Sequence, residues 1–147
     1  MDPKRFLIGT LVGGITLHVL GHLIFILMFG AFYAANQGSA TGVDREVALQ
    51  WALALGNLSL AALVTLAVAG WPGTITIGKG FKVGAIVGFL VWFGVDFIHY
   101  GILNVSNLAR TLADPLLEIV HTGITGAVIA AALGRFAESG RRETVRA

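Results

Sequence analysis

The chain has 147 residues, 56% of them hydrophobic and 12% charged, with a formal charge of +2. That is too apolar for a soluble domain and too short for more than one membrane bundle. Basic residues confined to the ends and loops exclude a nucleic-acid footprint, and the absence of cysteine excludes disulfides, thiolate ligands, iron–sulfur clusters and covalently attached haem.

In chain order, a short basic leader precedes an apolar run at about 6–33. That is roughly twice the length of a signal-peptide core, so it reads as a retained first helix. A polar loop, 36–46, leads to a second helix at about 47–69, closed by the breaker cluster Gly70, Trp71, Pro72 and Gly73. Residues 74–80 read as a loop, and a third helix follows at about 81–104. Asp114 before Pro115 reads as the start of the fourth helix, because Asp caps free amides and Pro has none to lose in a first turn. That helix runs to about 136, and the charged tail, 137–147, reads as flexible.

The fold class expected is therefore an all-α integral membrane protein, a single domain built as a four-transmembrane-helix bundle. Eight basic residues, Lys4, Arg5, Lys79, Lys82, Arg135, Arg141, Arg142 and Arg146, fall on the side of the termini, and Arg45 and Arg110 on the other. This asymmetry predicts cytoplasmic termini in a multi-pass protein of a bacterial inner membrane. An internal repeat is also visible. Lys4, Phe6, Gly9, Val12 and Gly13 recur as Lys79, Phe81, Gly84, Val87 and Gly88, which suggests two tandem helical hairpins. Glycine ladders at Gly9 and Gly13, at Gly80, Gly84 and Gly88, and at Gly126, Ala130 and Gly134 predict close helix packing within the bundle, with a dimer face as the lesser use.

Function is sought in the polar residues inside the apolar runs, since a charge near the bilayer centre costs roughly 2.5 to 3.5 kcal/mol on the mildest scale. Asp96 with His99, and Glu118 with His121, are each three residues apart, on one helix face. Counted from helix ends at 104 and 114, Asp96 falls beside His121 and His99 beside Glu118. This predicts a transition-metal site holding Fe, Zn or Mn, with Asp96, His99, Glu118 and His121 as ligands, His22 as a fifth and His18 as a less secure sixth. Gln50 and Asn57 are expected to support it from the second helix.

Two alternatives stand beside this reading. Haem b held by two of His22, His99 and His121 would use the space at Gly21, Gly94, Gly101 and Gly123, but leaves the acids unexplained. A buried hydrogen-bonded cluster without metal would fix helix register or relay protons. The bland readings of the rest are Asp114 as a cap, Arg110 as a loop charge, His18 as an interior residue, and Tyr33, Trp51, Trp71 and Tyr100 as anchors or packing. Three functions follow: a redox metalloenzyme acting on a lipophilic substrate or quinone, an ion carrier or sensor, or an accessory subunit. The expected partners are the bilayer, a lipophilic small molecule, and a second copy or a larger membrane complex.

Overall fold

A computed structural model shows an all-helical chain. It describes residues 1–135 in full and carries the backbone of the final helix to Arg146, so the reading of the tail from 137 onward falls outside the described residues. Helix α1, Pro3–Gly21, continues into a π-helical segment, His22–Met28, and a short α2, Gly30–Ala35. Then come α3, Gln50–Gly70, α4, Ile77–Ile102, and α5, Leu108–Arg146. No strand is present among the described residues. Four helical stretches are long and apolar enough to cross a membrane: Pro3–Met28, Gln50–Gly70, Ile77–Ile102 and Leu108–Arg135.

Local chemistry sets the helix starts. Pro3 lies in the first turn of α1, and Asp2 caps it by accepting from the Arg5 amide. Thr76 caps α4 by accepting from the Lys79 amide, so residues 77–80, expected as loop, are helical. Lys79 folds back onto the Trp71 and Gly73 carbonyls, at 2.6 and 2.7 Å, and Gly73 supplies the positive φ that this turn requires. The largest departure is at α5. Asn107 caps it through the Arg110 amide at 3.0 Å, and the helix begins at Leu108, six residues before the expected start at Asp114. Pro115 thus lies inside the helix, fully buried.

Helix α5 is the spine of the bundle. Half of its span is buried, against 22% or less of each of the others, because it packs on α4, α1 and α3 at once. Arg5 reaches the Leu133 carbonyl, which places the start of α1 beside the far part of α5. This is the proximal end of the bundle, and the loops 36–49 and 103–107 lie at the distal end. The proximal half is dry, with Val64, Val68, Val83, Ile129, Ala130 and Leu133 forming one buried cluster.

Glycine makes the α4–α5 contact possible. A Cβ at Gly80 would strike the Gly126 carbonyl and Ala130. One at Gly84 would strike the Thr122 carbonyl, and one at Gly88 would lie 2.6 Å from Thr122 Oγ1. The ladders therefore serve intramolecular packing, except at Gly134, which faces open space.

Candidate functional site

In the distal half, polar residues occupy the positions that apolar ones hold below. Along α5 the inward stripe reads Thr111, Asp114, Glu118, His121, Thr122 and Thr125, at helical spacing and largely buried. Two linked constellations hang from it.

The first surrounds a cavity of about 220 Å³ lined by Trp92, Asp96 and His99 of α4, Val105 and Ser106 of the connecting loop, and Arg110, Thr111 and Asp114 of α5. Asp96 and Asp114, from neighbouring helices, thus place two acids on the wall of one cavity. Tyr33 of α2 donates to Asp114 Oδ1, and the Arg110 guanidinium lies 5.0 Å over the Tyr33 ring. Burial, then the bond to Asp114, push the Tyr33 hydroxyl well above the ordinary phenol range. It therefore stays a proton donor at any physiological pH. Asp96 Oδ2 and Trp92 Nε1 are buried without a partner, one an acceptor and the other a donor.

The two distal loops are tied to each other at this end. Asn107 donates from Nδ2 to Asn36 Oδ1 at 2.9 Å and from its backbone to the Asn36 carbonyl at 3.2 Å, and the Ala40 amide reaches the Asn104 carbonyl at 2.9 Å. Gly38 passes so near the backbone of Asn104 and Ser106 that a Cβ there would collide with both.

The second constellation is Glu118 with His121. His121 Nε2 meets the Leu17 carbonyl of α1 at 3.0 Å, and a carbonyl only accepts, so Nε2 carries a proton. His121 Nδ1 lies 3.0 Å from both oxygens of Glu118, a contact that holds a second proton, on nitrogen or on oxygen. The pair is thus neutral overall with one mobile proton. Thr122 donates to Glu118 Oε2, and Phe25 of the π-helical segment packs edge-on against both His121 and Tyr33, joining the two constellations.

No family model matches the chain, and no curated protein or solved structure is similar to it.

The sequence-derived ligands are distributed over three places. Asp96 and His99 line the cavity, Glu118 and His121 pair beneath it, and His18 and His22 are exposed on α1 and the π-helical segment, with His18 Nδ1 3.2 Å from Asn57 Nδ2. Among the described residues no three His, Asp or Glu side chains gather as ligands for one ion. His121 has both nitrogens occupied, which leaves no lone pair for a metal or a haem iron. This geometry lends no support to either centre, and Gln50, exposed at the start of α3, supports none.

The expected pairing of Asp96 with His121 and of His99 with Glu118 is not made. With α5 starting six residues earlier and α4 ending at Ile102, the antiparallel register moves by about two turns, which puts Asp96 and Asp114 on one cavity. Arg110 and Asp114, expected as loop charge and cap, and Tyr33, expected as an anchor, belong to this site instead. The signal for the first two was the spacing of Arg110, Asp114 and Glu118, four residues apart on one face.

Proposed function

We propose that this chain is a proton-exchanging membrane protein that binds the polar head of a small lipophilic molecule in its distal cavity. The observation that carries this is that Asp96 and Asp114, two acids from neighbouring apolar helices, line one cavity of about 220 Å³. Buried carboxyls inside an apolar span are costly, and a cavity that admits a ligand or water to them gives that cost a use. The guanidinium of Arg110 offers a donor to an oxygen of the ligand, while Asp96 accepts from a hydroxyl or returns a proton. Tyr33 fixes Asp114 by donating to it, and Glu118 with His121 provides a neutral pair whose proton can shift without net charge entering the apolar interior.

The direction follows from the basic residues at the proximal end, which support cytoplasmic termini and so a cavity opening to the outer side. The apolar cluster of the proximal half then blocks passage, and protons are exchanged with one side only. Parallel hairpins α1–α3 and α4–α5, each closed by glycines, agree with a tandem repeat whose second half acquired the acids.

Infrared difference spectroscopy on the protein in nanodiscs, titrated with acid, tests this reading. The expected result is a carbonyl band of protonated carboxyl that shifts in D2O and is lost or displaced in Asp96→Asn, with a lipid-soluble carbodiimide modifying Asp96 or Asp114. Absence of both band and modification would overturn it.

A further inference from the structure

The polar residues that the cavity does not use lie on the membrane-facing flank of α1 and α3. His18 and His22, one turn apart, are exposed, as are Ile15, Val19 and Ile26 on the same helical stretch. Beside them Asn57 contacts His18 at 3.2 Å. His18 lies ten residues from Met28, the distal end of its span, and Asn57 seven from Gln50. Both are thus roughly 10 to 15 Å deep, where lipid offers no hydrogen bond.

The His18–Asn57 contact leaves most of their capacity unused. Among the described residues neither ring nitrogen of His22, nor His18 Nε2, nor Asn57 Oδ1 has a hydrogen-bond partner. Helix α3 is exposed on every side from Gln50 to Gly56, and Gly56 has open space where a Cβ would be.

We infer that this flank is an interface with a second copy of the chain, related by a two-fold axis along the membrane normal. Two copies inserted in the same direction hold His18, His22 and Asn57 at matching depth, so register needs no further specification. The exposed set is balanced, with amide and imidazole donors beside amide and imidazole acceptors, so the same surface complements itself. Gly56, exposed on α3 next to Asn57 and with open space at its Cβ position, lets the backbones approach closely. The interface is independent of the distal cavity, which is lined by α4, α5 and the loop between them.

The absence of native cysteine allows a direct test. Single cysteines are placed in turn at Ile15, Val19 and Leu53, and as a control at Leu90, exposed on α4, and oxidised in native membranes. The expected result is a disulfide-linked product of twice the chain mass from at least one flank position and none from Leu90, reduced about tenfold by His18→Leu with Asn57→Leu. No product from the flank, equal product from Leu90, a product of another mass that marks a different subunit, or persistence in the double variant would each overturn the inference. If the double variant fails to fold, the single-cysteine results on unaltered His18 and Asn57 still decide it.

Discussion

The two halves of the bundle are built from the same helices and held by different physics. Proximally, α5 presents Ile129, Ala130 and Leu133 to Val64, Val68 and Val83, and Gly126 lets α4 approach to backbone contact. Here packing alone is the adhesive, because apolar side chains gain little from leaving lipid for one another. Distally, the same helix presents Asp114, Glu118, His121 and Thr122, and the contacts are hydrogen bonds around a cavity. The difference teaches that α5 divides its length between a part that holds the fold and a part free to carry chemistry. The π-helical segment sits on the distal side of that division. There the Phe29 amide bonds the Ile24 carbonyl, five residues back, and Phe25 is placed between His121 and Tyr33.

Substitutions can break or sharpen this contrast, starting with the largest effect. Glu118→Leu strands His121 Nδ1 and the Thr122 hydroxyl in a buried site. It should cost about 3 to 5 kcal/mol in thermal or chemical unfolding in detergent, while Glu118→Leu combined with His121→Leu should recover part of that loss. Should the double variant be no better than the single one, the pair is not the unit described here. Gly126→Leu should overpack the proximal contact by about 3 kcal/mol, whereas Gly94→Leu, with open space at its Cβ, should leave the melting temperature nearly unchanged. Equal effects would erase the proximal character inferred from packing.

Smaller changes probe the distal half. Asn107→Ala removes a helix cap and the clamp to Asn36 and should cost about 1 kcal/mol. Hydrogen exchange should rise at residues 36–40 and 104–110 but not at 126–133; a uniform rise would show that the loops and the proximal core unfold as one unit. Asp96→Asn, which keeps shape and removes one ionisable group from the cavity, should shift stability by less than about 1 kcal/mol and still remove or displace the protonated-carboxyl band. A large loss of stability without spectral change would mark Asp96 as structural only.

Much of this was present in the order of residues. Apolar run lengths determined four spans, since a helix needs about 20 apolar residues to cross the hydrocarbon, and the acids and imidazoles marked one half as polar. The three-residue spacing of Glu118 and His121 placed both on one helix face, while their expected partners lay across helices; their bond to each other within a single turn is a finding of the structure. Contacts between helices were a different matter. They depend on where each helix starts, and Asn107, not Asp114, caps α5, a choice settled by the fit of Asn107 to Asn36 across the loops. Six residues of error displace a helix by roughly 9 Å relative to its neighbour, enough to replace one partner by another. Helix packing therefore decides that Asp96 and Asp114 share a cavity, that Arg110 lies over Tyr33, that His121 meets the Leu17 carbonyl, and that His18 and His22 are exposed. Local pattern fixes what a helix offers on each face, but only packing decides which face meets which.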